Sequence, residues 1–305
     1  MRISMVGDPG SGSWGEFARR CDADGFDALL VPDHPGSYAA PLVALAAAAT
    51  VTERIRLGAN VINAGMWEPL PLANELATLD LLSGGRAQFG IGAGHTPAEW
   101  LMQGRPYPSA GARVDRMIEV ADATRRLLTG DPVTFDGVHV RLREAVLTRP
   151  RPIQQPIPLR IGGGGNRVLR HAARHADIIS FSGTGRTLPD GHNHEVNWHR
   201  DQIDAQIDHV RAAAGDRNPD FEALVQYVEI TDDAEAAATR FAAEIPDITA
   251  SDLLAAPYVL IGTLPELIDE LSQHEKRWGF RRFVIRAAYY DAAAQLLAAL
   301  QARTG

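Results

Sequence analysis

The chain has 305 residues, 45% apolar and 22% charged, with a formal net charge of −8. That composition is that of a globular enzyme, and its acidic excess argues against a nucleic-acid partner, which demands clustered Lys and Arg. One cysteine, Cys21, excludes a disulfide framework and a Cys-based metal cluster, and its helical context, EFARRCDADGF, reads as that of a small buried residue.

In chain order, short β-type runs alternate with amphipathic helical patterns. RISMV (2–6) precedes a helix over 14–25, FDALLV (26–31) one over 40–53, and IRLGANVI (55–62) one over 69–84. AQFGIG (87–92) leads to a long charged helix over 110–130. In the second half PLRIGG (158–163) leads into a helix over 166–176. DIISFS (177–182) leads into one over 196–215, and EALVQYVEIT (223–231) into an acidic, alanine-rich helix. RRFVIRA (281–287) and AAAQLLAAL close the series. Eight alternating units over this length favour one (β/α)8 TIM barrel, a single α/β domain over 1–305, above an open doubly wound sheet. Two segments interrupt the alternation. Residues 131–157 hold a hairpin pattern with a type I′ signal at Asp136-Gly137, then a Pro-rich crossing. The Gly/His-rich loop 183–195 follows strand six, where it is either a lid or a surface loop. The chain opens without a secretory leader pattern and AAPLVALAAAATV is too short to span a bilayer, so a cytoplasmic location with no membrane partner is expected.

The run GRAQFGIGAGHTPAEW (85–100) lacks the third glycine of a dinucleotide fingerprint and lies on the fourth strand, so the Rossmann reading fails. As the end of a barrel strand, Gly92 and Gly94 would let a flat ligand approach the backbone. His95 and Glu99 then hang over the mouth; their plain alternatives are a hydrogen-bonded loop histidine and the start of a helical turn. Asp33 and His34 end the second strand at the same face, placed for proton transfer or for an ordinary turn. Asn60 and Asn63 add amides to the rim. IGGGGNRVLR (161–170) is the best anion signal: Gly162, Gly163, Gly164 and Gly165 precede a helix and present free N–H groups, with Arg167 in its first turn. LIGTLPE (260–266) is a weaker candidate of the same kind. His192, His194 and His199 lack carboxylate company, so no metal site is expected.

ATLDLLSGGRAQFGIGAGHTPAEW, with VTERIRLGANVI before it and PIQQPIPLRIGGGGNRVLRHAARHADII after it, resembles the bacterial luciferase-like superfamily, within it the branch using the deazaflavin coenzyme F420. The resemblance runs from GFDALLVPDH to PYVLIGTLPELIDEL. It implies a (β/α)8 barrel with an insertion between strands four and five, where 131–157 lies, and a homodimer. It also implies a bulge after strand three, often with a non-proline cis peptide, that backs the ring near Asn60-Val61. Phosphate would lie at Gly162 to Gly165, with Ser180 among the cofactor contacts, and His34 would be the base. Some relatives carry an acid where this chain has His95, a departure that speaks against a sugar-phosphate substrate.

Hydride transfer between the deazaflavin C5 and a small-molecule substrate is therefore the leading expectation. His34 would move the proton and Asp33 would orient the imidazole if geometry allows. The rivals are a monooxygenase using reduced FMN and O2, and a flavin-binding barrel without turnover. Arg167, Arg170 and Arg186 are candidates for the longer anionic tail of F420.

Overall fold

The computed structural model describes residues 1–187 and 194–304. Eight parallel strands form a closed barrel: β1 (Arg2–Val6), β2 (Ala28–Val31), β3 (Arg56–Ala59), β4 (Ala87–Gly92), β5 (Leu159–Gly162), β6 (Ile178–Phe181), β7 (Asp220–Val225) and β8 (Phe280–Arg286). Closure is set by the β1–β8 register, Val6 opposite Arg286, and by β3 meeting β4 at Leu57 and Ala87. The expected (β/α)8 architecture is present. The helices are α1 (Trp14–Asp24), α2 (Pro41–Ala49), α3 (Pro69–Leu82), α4 (Pro97–Leu101), α5 (Ala110–Thr129), α6 (Asn166–His175), α7 (Arg200–Ala214), α8 (Ala234–Ala242), α9 (Ala250–Leu253), α10 (Leu264–Trp278) and α11 (Tyr290–Thr304).

Local signals explain these boundaries. Proline opens α2, α3 and α4, where its missing N–H would be unpaired in any case. Gly25, Gly130 and Gly279 end α1, α5 and α10 in the left-handed conformation. Side chains alternate along each strand. Val6, Ala28, Leu30 and Val284 point into the barrel with Leu224, while Ile3, Met5, Leu29, Val31, Phe283 and Ile285 join the larger core beneath the helices. Both faces are covered, so the strands read as nearly continuous apolar runs. Cys21 is buried in that core, and desolvation pushes its thiol up to about 12. Among the described residues no helix is long and apolar enough to cross a membrane.

The barrel's interior is also polar. Arg160 is fully buried and grips Glu222, equally buried, through Nε at 2.9 Å and Nη2 at 3.0 Å, while its Nη1 donates to Gln88 at 2.8 Å. Near the opposite end of the strands from the mouth, Arg282 donates to Asp27 at 2.5 Å and to Asp220 at 2.8 Å. Each buried charge has its counter-charge and its hydrogen bonds, the condition under which such groups are tolerated.

Three expectations are corrected. EALVQYVEIT is not one strand: at Gln226 the backbone N–H donates to Tyr258 O (2.7 Å), and Tyr227–Ile230 leaves the barrel to pair with Val259–Gly262. The helix expected from residue 196 begins at Arg200, because His194–Val196 pairs antiparallel with Thr184–Thr187. The hairpin of the 131–157 insertion exists, but Asp136 pairs with Arg141 across a four-residue loop, not a two-residue turn. Glu119 of α5 holds that loop open by accepting from the N–H groups of Val138, His139 and Val140 at 3.0, 2.7 and 2.8 Å.

Candidate functional site

The loop leaving β2 at the mouth carries Asp33 and His34, whose side chains diverge: Asp33 turns to Asn63 and Trp67, His34 to Glu99. Asp33 is 5% exposed, and its Oδ2 accepts from the Asn63 backbone N–H and from Trp67 Nε1, both at 2.9 Å. Desolvation raises its pKa, the Glu99 charge adds to the rise, and the two N–H donors oppose it. Asp33 therefore secures the segment after β3, and the expectation that it orients the imidazole is corrected. That position belongs to Glu99. From the first turn of α4 its Oε1 lies 2.5 Å from His34 Nδ1, and its Oε2 accepts from Asn63 Nδ2 at 2.6 Å. The amide of Asn63 is oriented in turn, since its Oδ1 accepts from Gly65 N at 3.0 Å. Gly94 sits at φ +73°, where a Cβ would come within 2.1 Å of Asn63 Oδ1. His34, Glu99 and Asn63 thus form one chain of hydrogen bonds drawn from three elements.

His95 lies at the exposed rim, its ring 5.3 Å from His34 and 4.6 Å from His194, centroid to centroid, edge on to both. Desolvation by the surrounding chain, then repulsion from His194 and His34, lowers its pKa to about 4. The imidazole is neutral near pH 7. The loop beneath it is pinned: Arg113 donates to Gly94 O at 3.0 Å and lies over the Tyr107 ring, whose hydroxyl donates to His95 O at 3.0 Å.

Between β3 and its two-residue continuation, Ile62–Asn63, the Asn60–Val61 peptide is cis, where the resemblance puts a bulge. The β4 glycines fit this bulge. A Cβ on Gly90 would stand 1.9 Å from Ala59 O, one on Gly92 would stand 2.6 Å from Val61 Cγ2, and one on Gly162 would stand 3.1 Å from Val61 Cγ1. Gly90 makes room for the Ala59 carbonyl and Gly92 for Val61, while Gly94 makes room for Asn63, so the neighbours that Gly92 and Gly94 accommodate here are side chains of this chain. The Val61 side chain lies over Gly92 and Gly162 and stays partly exposed.

Gly162 to Gly165 run from β5 into α6. Gly163 N donates to Ser180 O at 3.2 Å, tying the turn to β6, and the Ser180 side chain is buried within the barrel wall. Gly165 caps α6 without any side-chain partner, and a Cβ there would meet no heavy atom within 4 Å. The helix end is open to an anion. Arg167 is not aimed at it: its guanidinium pairs with Asp115 and reaches Gly111 O on α5. Arg170 is exposed on α6. The weaker cradle at 260–266 is closed, because Thr263 and Glu266 form a capping box with a carboxylate where an anion would sit. His199 contacts Asp252, and no metal-holding cluster exists among the described residues. Part of the loop 183–195, with His192, lies outside the described residues, as does the side chain of Arg186.

The family model described as "Luciferase-like monooxygenase" matches residues 7–278. An F420-dependent glucose-6-phosphate dehydrogenase of Amycolatopsis mediterranei is 34% identical over 183 residues, 57% of this chain and 54% of that protein. The chain spans about half the length of the curated relatives it matches. In structure it is similar to a coenzyme F420-dependent tetrahydromethanopterin reductase from Methanopyrus kandleri. There the TM-score is 0.76 at 19% identity, over 97% of this chain and 96% of that one. It is also similar to an EDTA monooxygenase from Chelativorans sp. BNC1, with TM-score 0.78 at 16% identity, over 100% and 94%. At these identities the two structures speak to the fold alone.

Proposed function

The chain belongs to the luciferase-like monooxygenase family, and from that premise we propose that it is an oxidoreductase that holds coenzyme F420 over the barrel mouth and exchanges hydride with a small organic substrate. The observation that carries the reading is the buried Glu99 carboxylate on His34 Nδ1. A carboxylate only accepts, so it keeps a proton on Nδ1 and leaves the Nε2 lone pair as a base. The residues present fit the coenzyme: Val61 offers an apolar floor for a ring system, and the uncapped start of α6 offers N–H groups to a phosphate. The similarity to F420-dependent relatives supports the choice of cofactor.

The coenzyme, when bound, supplies the carbon that accepts or gives hydride. The protein's part is proton management and placement. As a carbinol carbon loses hydride, its hydroxyl proton passes to His34 Nε2, and Glu99 stabilises the imidazolium that forms. Asn63 keeps Glu99 in place. The homodimer implied by the resemblance is part of this proposal. Fluorescence titration with F420 and FMN side by side tests the cofactor. The account expects F420 to bind; tight FMN binding without F420 binding would replace it with oxygen chemistry.

A further inference from the structure

We infer that Arg286, at the mouth end of β8, is the recognition group for an anion on the substrate, a carboxylate or a phosphate. On β8 the inward positions are Arg282, Val284 and Arg286, as the contacts of Arg282 and Val284 establish. The arginines below it in the barrel are neutralised, Arg282 by Asp27 and Asp220, and Arg160 by Glu222. Arg286 differs. Among the described residues it has no carboxylate partner, and its hydrogen bond goes to a neutral amide, Gln226 Oε1, at 2.8 Å. Gln226 is oriented by its own Nε2, which donates to Ser182 O at 3.3 Å and Leu224 O at 3.5 Å. Asp8, on the loop after β1, accepts from the N–H groups of Gly10 and Ala39. The result is an exposed guanidinium held by an amide, with donors left over for a planar or tetrahedral anion.

Its position on the rim assigns the anion to the substrate. Only β1 separates β8 from β2, which His34 follows by three residues, so at a strand spacing of ~4.8 Å the two strands lie ~10 Å apart. The cradle at Gly162–Gly165 follows β5, three strands away in the other direction. A small hydroxy- or oxo-acid, or a phosphorylated alcohol, fits between His34 and Arg286. The inference rests on the reading of His34 as the reacting-side base.

Calorimetric titration with sodium acetate and with inorganic phosphate tests it, on protein saturated with F420 and again without it, for wild type, Arg286→Gln and Arg286→Lys. The expected result is anion binding weakened about tenfold or more in Arg286→Gln, partly restored in Arg286→Lys, with F420 affinity equal in all three. Unchanged anion affinity in Arg286→Gln, or no anion binding by wild type, would overturn the inference. So would a loss of F420 affinity in Arg286→Gln, which would give the arginine to the coenzyme. Failure of wild type to bind F420 would remove the hydride-transfer reading; in the cofactor-free titrations the binding event lost in Arg286→Gln is the one assigned to Arg286, an event that persists belongs to the Gly162–Gly165 cradle, and the absence of any lost event would overturn the inference.

Discussion

The middle of the barrel and its mouth are built from the same residue types and treat them in opposite ways. In the middle, Arg160, Glu222 and Gln88 satisfy one another with no exposure to solvent. At the mouth, one edge of His34, the guanidinium of Arg286 and the first N–H groups of α6 face outward with bonding capacity left over. Closed networks fix a core; open ones wait for a ligand. Glu99 stands at the boundary, fully engaged below by Asn63 and presenting His34 above.

The largest effect should come from breaking the closed network on one side. Glu222→Leu leaves Arg160 charged and buried, and urea denaturation should show a loss of ~3–5 kcal/mol. The double variant Arg160→Met with Glu222→Leu should recover most of it. Equal losses in the single and double variants would mean that the pair is not a unit.

Next comes the boundary. Glu99→Gln leaves one acceptor oxygen for two donors: the amide either faces Asn63 Nδ2 donor to donor or donates to His34 Nδ1 and moves the imidazole proton to Nε2, and in both cases the Nε2 base is no longer held in place. Turnover should fall about 100-fold with F420 affinity unchanged. Steady-state kinetics beside a fluorescence titration would separate the two, and a variant with full turnover would detach Glu99 from His34.

The smallest effect belongs to the rim, where His95 is exposed and solvent screens most of the shift. The folded-state pKa of His95, about 4, lies below its ordinary value of 6.5. Between those values the unfolded chain binds the extra proton, so folding stability falls as pH drops through that window. In His95→Gln, denaturation midpoints measured from pH 7 down to pH 4 should decline less steeply than in wild type. Parallel declines would show that His95 does not carry this dependence.

Much of the barrel could be read from the chain because each strand is short, apolar and followed by its own helix; AQFGIG and DIISFS illustrate the pattern. Where the reading failed, the cause was a contact made outside the segment being read. Nothing within EALVQYVEIT announces that Gln226 changes partner, because the alternative strand lies at 259–262. Nothing within DPVTFDGVHVRL reveals Glu119, which sets the loop from α5. At the site, His34 and Glu99 were both legible as polar residues at strand and helix ends. Their pairing across 65 residues was not, and strand adjacency pointed to Asp33 instead. Arg286 carried a usable signal, the period-two position above Arg282 and Val284, that a search for glycine turns and histidines passes over.

The most direct test of the open mouth as a reaction centre is His34→Ala, assayed for F420 affinity and turnover in one preparation. The account predicts wild-type affinity with turnover reduced by a factor of about 10²–10⁴, the usual contribution of a positioned general base. Wild-type turnover in that variant would contradict it.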